Sequence, residues 1–230
     1  MKLCAQKITK KFIRERADTN IFSAVNEAEL ELEGGKLVVL SGPSGSGKST
    51  LLNMLAGLLV PSEGKVMLDD TDIYSLDDKE LSLLRNKSFG IIPQGQTALQ
   101  ALTVLENVLV PYSLYGKNKG GDYEKARSFA AKLLEMAGIA DLKNVMPSEL
   151  SGGELRRMSV CRAMMNKPGV ILADEPTGDL DEENTELVMK LLKANAENGA
   201  CVLVVTHDPQ VHEYADIQLE MRKGILTVIK

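Results

Sequence analysis

Short runs of consecutive apolar residues recur along the chain, and each of them ends at glycine or at polar residues. Residues 36–40 lie between the turn pair Gly34-Gly35 and a glycine-rich segment, and residues 170–173 and 201–205 are followed by acidic or polar side chains. Apolar runs without alternation are typical of strands that are covered on both faces, as in a parallel sheet. The pattern therefore predicts a mostly parallel sheet.

Segments with helical periodicity separate these predicted strands. Residues 51–59 follow the first strand and residues 182–196 connect the last two, which predicts a βαβ series. The middle of the chain instead carries three helical segments without a convincing strand among them, at residues 103–115, 122–137 and 151–166. Thr103 with Glu106 and Ser151 with Glu154 have the spacing of capping boxes. We expect a helical lobe, residues 95–167, inserted between two strands.

The N-terminal segment has a different character. Residues 2–12 and 25–32 resemble antiparallel strands joined by a charged loop around Arg14-Glu15-Arg16. We therefore expect a single α/β domain over residues 1–230. Its core and antiparallel part comprise residues 1–94 and 168–230.

The glycine-rich segment after the first parallel strand fits the pattern G-x-x-x-x-G-K-[ST], between a strand and a helix as this motif requires. Its backbone N–H groups and the helix N-terminus predict a site for the β- and γ-phosphates of a nucleotide. Lys48 is expected to bridge those phosphates, and Ser49 is expected to bind Mg²⁺. The phosphate-binding residues are Gly42, Pro43, Ser44, Gly45, Ser46, Gly47, Lys48, Ser49 and Thr50.

Polar side chains stand where the other predicted strands end. Asp174 and Glu175 follow one apolar run, and His207 follows the next. Ligands of open α/β sheets bind at this edge, so Asp174 is expected to assist Mg²⁺ and Glu175 to orient an attacking water. His207 is expected at the same edge as Lys48 and Glu175. Gln94 follows a further strand end and is a weak signal by itself.

A second anion site is predicted at the pentapeptide Leu150-Ser151-Gly152-Gly153-Glu154. Ser151 can cap its helix, whereas Gly152 and Gly153 leave backbone N–H groups uncovered. Glycine in the first helical turn lowers helix stability. A capped helix start alone therefore does not account for two consecutive glycines.

Composition excludes several other classes of protein. The chain has 230 residues, 44% of them hydrophobic, which is enough for a sizeable core. A net charge of −5 argues against a broad nucleic-acid surface. The three cysteines lack the spacing of a zinc site. No secretory signal and no apolar run of membrane-spanning length is evident, so we expect a cytoplasmic protein whose membrane contact comes through a partner.

In combination, the motifs resemble the nucleotide-binding subunits of ATP-binding cassette (ABC) transporters over nearly the whole chain. The matches follow the family's order, with a P-loop at 42–50, the Q-loop at Gln94, the signature at 150–154, Walker B at 170–175, a D-loop at 177–181 and the switch histidine at His207. Residues 102–108, 175–181 and 205–209 are most similar to the lipoprotein-release and the macrolide or antimicrobial-peptide export group. Leu155 and Pro93 depart from the family pattern.

The resemblance implies a P-loop NTPase core with ATP and Mg²⁺ as ligands, and it assigns roles to the residues. Phe12 stacks on adenine, although it lacks the hydroxyl of the family's usual tyrosine. Ser49, Gln94 and Asp174 hold Mg²⁺, and the catalytic residues are Glu175, His207, Gln94 and Lys48. Nucleotide contacts of a partner's ATP come from Ser151, Gly152, Gly153 and Glu154.

The resemblance also implies partners. Two subunits, expected to be identical chains, sandwich two ATP molecules, each held by the P-loop of one chain and the signature of the other. An integral membrane permease docks in a groove beside the Q-loop and the helical lobe, which keeps the protein peripheral on the cytoplasmic face of the membrane. No nucleic-acid partner is expected.

Two alternatives remain open from the sequence. One is a cassette ATPase that acts in solution or transmits force without transport, although soluble relatives usually carry two cassettes, a long coiled-coil insertion or a zinc module. The other is a non-hydrolysing regulatory module, which would need a defect at Lys48, Asp174, Glu175 or His207. All four residues are intact.

Overall fold

The structure is a computed structural model, and it describes residues 1–13, 21–95, 97–115, 122–178 and 180–229. The strands of these residues are β1 (Lys2–Ile13), β2 (Ile21–Glu33), β3 (Leu37–Ser41), β4 (Glu63–Leu68), β5 (Thr71–Asp72), β6 (Phe89–Ile92), β7 (Val170–Asp174), β8 (Cys201–Val205), β9 (Ile217–Arg222) and β10 (Ile225–Val228). The α-helices are α1 (Lys48–Leu55), α2 (Asp78–Ser88), α3 (Val104–Tyr115), α4 (Tyr123–Met136), α5 (Gly152–Met164) and α6 (Glu182–Glu197). Short 3₁₀ turns occupy Ile73–Ser75, Ala140–Leu142, Pro147–Glu149 and Pro209–Tyr214.

The predicted parallel sheet is confirmed. In the described residues its strands follow the order β10-β9-β3-β8-β7-β6, and every neighbouring pair except β10 with β9 is parallel. Successive residues of a strand face opposite sides of the sheet. Leu37 and Val39 of β3 accordingly pack into one buried cluster, and Val38 and Leu40 into the other. Both faces are covered, which explains the uninterrupted apolar runs.

An antiparallel sheet covers one of these faces. Its order in the described residues is β2-β1-β4-β5, and β1 pairs with β2 so that Phe12 lies opposite Phe22. The two predicted N-terminal strands are therefore confirmed as an antiparallel pair, longer at both inner ends than expected. The charged loop Arg14-Glu15-Arg16 lies outside the described residues.

The other face is covered by helices α3 to α6, of which α3, α4 and α5 lie in the chain between β6 and β7. These three helices pack against one another, and α5 also contacts β6. Both predicted capping boxes are present, because Thr103 Oγ1 accepts from Glu106 N at 3.3 Å and Ser151 Oγ accepts from Glu154 N at 3.3 Å. The limits of the lobe at residues 95–167 stay a prediction.

Helix α1 differs from its prediction at both ends. It begins at Lys48, within the phosphate-binding motif, and ends at Leu55, whereas the periodicity indicated residues 51–59. Gly57 stops it early, because its φ of 67° is left-handed and does not continue a right-handed helix. The apolar residues beyond Leu55 therefore belong to a turn, and the start of α1 is joined directly to the loop.

Two sequence expectations concern membrane spans and cysteines. Among the described residues, no helix combines the length and apolar character that crossing a bilayer requires. Cys4, Cys161 and Cys201 all carry free thiols, and the last two are buried. Burial raises the pKa of the Cys161 thiol to about 12, so this thiol stays protonated.

Candidate active site

The carboxyl ends of three neighbouring parallel strands meet at one edge of the sheet. Val205 of β8 pairs with Leu40 of β3 on one side and with Asp174 of β7 on the other. The chain continues this pairing one step past each strand, since Thr206 N donates to Leu40 O at 3.1 Å and Glu175 N donates to Val205 O at 2.8 Å. The loop after β3 and the polar residues after β7 and β8 are thereby brought together.

A cleft of about 690 Å³ opens at this edge. Its lining includes most of the site residues expected from the sequence, namely Phe12, Gly42, Pro43, Ser44, Gly45, Gly47, Lys48, Ser49, Thr50, Gln94, Asp174, Glu175 and His207, together with Phe22 and Ala24. Five expected residues are not part of this lining in the described chain, namely Ser46 and the pentapeptide's Ser151, Gly152, Gly153 and Glu154.

The loop after β3 has a shape that only glycine permits at two positions. Gly42 and Gly47 have φ values of 140° and 108°, which L-residues rarely adopt. A Cβ would lie 2.2 Å from Met221 O at Gly42 and 2.2 Å from Ala24 O at Gly47, and both contacts are with backbone. The backbone of the loop is therefore held close to its neighbours at both glycines.

Lys48 and Ser46 help to hold this loop in shape. The Lys48 ammonium donates to Gly42 O at 2.7 Å and to Pro43 O at 2.9 Å, which keeps its charge directly over the loop. Ser46 is buried, and its carbonyl accepts from Gly224 N at 2.9 Å, so it supports the loop from below. The Lys48 charge therefore lies at the loop for which phosphate binding is predicted.

Asp174 and Ser49 form the candidate Mg²⁺ position. Asp174 is only 7% exposed, and the Ser49 hydroxyl hydrogen-bonds to it. Burial raises the pKa of Asp174, while the Ser49 hydroxyl and the Lys48 charge act in the opposite direction. No cluster of three acidic, histidine or cysteine ligands exists in the part of the chain that is described. This donor set fits Mg²⁺, which binds through one or two carboxylates together with the phosphates of a substrate.

Glu175 is held in place by its backbone and by two neighbours. Its φ of 50° is left-handed, which is uncommon for a non-glycine residue and often marks a functional position. Oε2 accepts from Thr206 Oγ1 at 3.1 Å, and Oε1 lies 2.8 Å from His207 Nδ1. That hydrogen bond, with the charge of Glu175, raises the pKa of His207. The pair can therefore orient a water and accept its proton.

Two phenylalanines also line the cleft. Phe12 and Phe22 lie opposite each other on β1 and β2, and they are 39% and 36% exposed. Lys10 Nζ lies over the Phe12 ring, 5.5 Å from its centroid. Sequence reasoning missed Phe22, because only the register of β1 with β2 places it beside Phe12. The two rings offer flat apolar surfaces suited to stacking on a base.

The pentapeptide lies at the start of α5. Ser151 N and Oγ both donate to Glu154 Oε2, at 2.7 and 2.8 Å, and these bonds lower the pKa of Glu154. A Cβ at Gly153 would lie 3.2 Å from Leu180 Cδ2, so close packing contributes to the need for glycine there. Ser151 and Gly152 are exposed at this helix start, and neither is part of the cleft lining described above.

The residues that flank these motifs have identifiable structural roles. Leu155, which departs from the family pattern, is 9% exposed and belongs to the core of the helical lobe. Asp181 caps α6 by accepting from Asn184 N at 2.8 Å. Asp179, in the segment that resembles a D-loop, lies outside the described residues. The departure at Leu155 therefore adds a side chain to the core of the helical lobe.

Several known proteins are similar to this chain in sequence and fold. The family model described as ABC transporter matches residues 25–178. An uncharacterized ABC transporter ATP-binding protein of Methanocaldococcus jannaschii, MJ1508, is 40% identical over 206 residues, 90% of both chains. The lipoprotein-releasing system ATP-binding protein LolD of Treponema denticola is 40% identical over 95% of this chain and 94% of LolD. The dimeric structure of MJ0796, a bacterial ABC transporter cassette, matches with a TM-score of 0.90 and 35% identity over 99% of both chains. The MJ0796 dimer is also known in a post-hydrolysis state bound to ADP and Pi.

Proposed function

The chain belongs to the ABC transporter family as an ATP-binding and ATP-hydrolysing subunit, and from this premise we propose how it works and where. It acts on the cytoplasmic face of the membrane, where a permease holds it. The permease exports or extracts a peptide, a lipoprotein or a drug-like substrate. Similarity to LolD proteins over most of the chain supports the lipoprotein reading within this set.

The observation that carries the catalytic proposal is the 2.8 Å contact between Glu175 and His207 at the cleft that also contains Lys48. In this proposal Lys48 and the loop N–H groups bind the β- and γ-phosphates. Glu175 orients the attacking water and takes its proton, and His207 holds the Glu175 carboxylate in position. Ser49, Gln94 and Asp174 would hold Mg²⁺, which neutralises charge on the phosphates when it is bound.

The pentapeptide supports the proposal that two chains share each ATP. Its exposed helix start lies outside the cleft lining of its own chain. A phosphate bound over Lys48 would therefore contact the pentapeptide of a second chain. MJ0796, which matches this chain over 99% of its length, has been solved as a dimer. We propose that Ser151, Gly152, Gly153 and Glu154 contact the ATP of a partner subunit, while Phe12 stacks on the adenine of its own.

We further propose that the permease docks in a groove between α2, β6 and the helical lobe. This groove has a volume of about 480 Å³ and lies beside the segment that follows Gln94. Its apolar lining includes Leu58 and Leu99, which are 54% and 47% exposed, and Arg85 and Arg162 contribute positive charge. Such a surface suits a short amphipathic segment of a membrane protein that carries an acidic residue.

A matched pair of variants tests the docking proposal. Leu58→Asp introduces a negative charge into the groove. Leu83→Asp makes the same substitution on α2, at a leucine that is 47% exposed and outside the groove lining. The tagged chain is purified from detergent-solubilised membranes, and the bound chains are identified by mass spectrometry.

We expect an integral membrane permease with the parent chain and with Leu83→Asp, and its loss with Leu58→Asp while ATP hydrolysis by the isolated chain continues. Equal recovery with both variants would move the docking site elsewhere. Recovery of no membrane protein by the parent chain would favour an ATPase that acts in solution.

A further inference from the structure

Arg156 connects helix α5 to the segment that follows β6. Its side chain leaves the helix two residues after the pentapeptide, and the guanidinium donates through Nη1 to Pro93 O at 2.8 Å and through Nη2 to Gln94 O at 2.7 Å. The two acceptors are consecutive backbone carbonyls. A planar guanidinium presents two parallel N–H groups in a fixed fork, which matches such a pair of oxygens.

A second arginine of α5 extends this attachment. Arg162 Nη1 donates to Thr97 O at 2.7 Å, and Nη2 contacts Thr97 Oγ1. Arg162 follows Arg156 by six positions, which is about 9 Å along a helix. The chain after β6 is therefore fastened to α5 at two points, with the first point at Gln94 itself.

The sheet does not provide this attachment. β6 is the last strand of the sheet order in the described residues, and its pairing with β7 ends at Ile92. Pro93 has no N–H group and cannot continue a ladder. Past Ile92, side chains therefore take over from the sheet in positioning this backbone. The Arg156 guanidinium does so by donating to the carbonyls of Pro93 and Gln94.

Gln94 lines the nucleotide cleft together with Asp174 and Glu175. Arg156 is close enough to Asp174 to influence it: burial raises the pKa of Asp174, and the charge of Arg156 lowers it. Arg156 therefore contacts the backbone of Gln94, which is one candidate Mg²⁺ ligand, and its charge acts on Asp174, which is another.

We propose that Arg156 is a positioning residue that fixes the Gln94 backbone to helix α5, so that the Gln94 side chain stays in the nucleotide cleft and the Mg²⁺ position is tied to the helix that begins with the pentapeptide. The inference rests on the proposed role of Gln94 as a Mg²⁺ ligand. Loss of an outer contact of this kind typically weakens metal binding about 10- to 100-fold.

The test measures ATP affinity by calorimetry, with and without Mg²⁺, in a Glu175→Gln background that prevents turnover. Arg156→Ala should reduce the gain in affinity that Mg²⁺ provides by about tenfold or more, and it should leave the Mg²⁺-free affinity unchanged. Arg127→Ala removes an exposed arginine of α4 and is the control. Hydrogen exchange of peptides containing Gln94 and Thr97 should rise with Arg156→Ala only.

Two further variants distinguish the effect of the guanidinium geometry from the effect of its charge, and test whether Arg156 acts through Gln94. Arg156→Lys keeps a positive charge near Asp174 but replaces the planar guanidinium fork by a single ammonium on a shorter side chain, so it should behave like Arg156→Ala. Gln94→Ala should show the same loss of Mg²⁺ dependence, and the double variant should lose no more than either single one.

The outcomes distinguish this inference from the function on which it rests. If Gln94→Ala weakens Mg²⁺-dependent binding and Arg156→Ala does not, the positioning role is wrong and the proposed function stands. Full recovery by Arg156→Lys, or additive losses in the double variant, would also overturn the positioning role. If Gln94→Ala leaves Mg²⁺ dependence unchanged, the assignment of Gln94 fails and the inference fails with it.

Discussion

Replacing Phe22 by alanine tests whether a nucleotide base binds in the cleft against the phenylalanine rings of β1 and β2. Phe22 lies opposite Phe12 in the β1–β2 register and lines the same cleft, and both rings are more than one-third exposed. A base that stacks on an aromatic ring buries apolar surface of that ring. Phe22→Ala removes that surface and leaves the phosphate loop untouched.

The expected magnitude follows from the geometry. Stacking of a base on an aromatic side chain contributes about 1–3 kcal/mol as measured by alanine substitution. Phe12 lines the same cleft and would contribute to the same stacking, so we expect the lower part of that range for Phe22 alone. A loss of about 1–2 kcal/mol corresponds to roughly 5- to 30-fold weaker ATP binding.

Calorimetric titration with ATP and with inorganic tripolyphosphate is the assay, again in the Glu175→Gln background. Phe22→Ala should weaken ATP binding and leave tripolyphosphate binding unchanged, because tripolyphosphate has no base. Ile21→Ala is the matched control, since Ile21 is the preceding residue of β2, is 66% exposed and is not part of the cleft lining. Unchanged ATP affinity, or an equal loss for tripolyphosphate, would refute the base platform.

Three further predictions concern the catalytic pair and the loop. Glu175→Gln should lower the turnover number by about 10²- to 10⁴-fold while ATP affinity is retained; rapid steady-state hydrolysis would remove Glu175 from its role. The His207 imidazole, resolved by NMR from that of the other histidine, should titrate above 6.5 and return toward 6.5 in Glu175→Gln. Because folding raises the pKa of His207, the stabilisation from the Glu175–His207 pair should be complete below pH 6.5 and disappear as the pH rises through the folded pKa. The difference in melting temperature between the parent and His207→Gln measures this stabilisation at each pH. A difference that grows with pH would contradict the prediction. Gly47→Ala should lower the melting temperature by at least about 2–4 °C. It should lower it by more than Gly45→Ala, because a Cβ meets Ala24 O at Gly47 and nothing within 4 Å at Gly45. Equal decreases in melting temperature would mean that the close approach at Gly47 has no energetic effect.

The parallel sheet and its site were predictable because local sequence carries the signal. The strands β3, β7 and β8 are nearly continuous apolar runs, and the polar residues that the site uses lie at or shortly after their carboxyl ends. Parallel geometry then places Lys48, Asp174 and His207 at one edge without further information. The strand ends are therefore readable from three short segments that lie far apart in the chain.

Other elements could not be predicted because their signals are weak or depend on partners. Helix α2 buries only Leu81 and Ser88, and β4 has a polar first half, so neither has a clear periodicity. Phe22 became visible only through its pairing with Phe12. The Arg156 contacts depend on how α5 is placed against Pro93, which lies 63 residues away in the chain.

The central claim is that each ATP is held by the phosphate loop of one chain and the pentapeptide of another. The most direct test mixes two variants that we expect to be inactive when each is purified alone, Lys48→Ala and Ser151→Arg. In the mixed dimer, the intact loop of the Ser151→Arg chain faces the intact pentapeptide of the Lys48→Ala chain. We predict that ATP hydrolysis returns on mixing and increases with the proportion of mixed dimer. A mixture as inactive as its components would mean that loop and pentapeptide act within one chain, which would contradict the account.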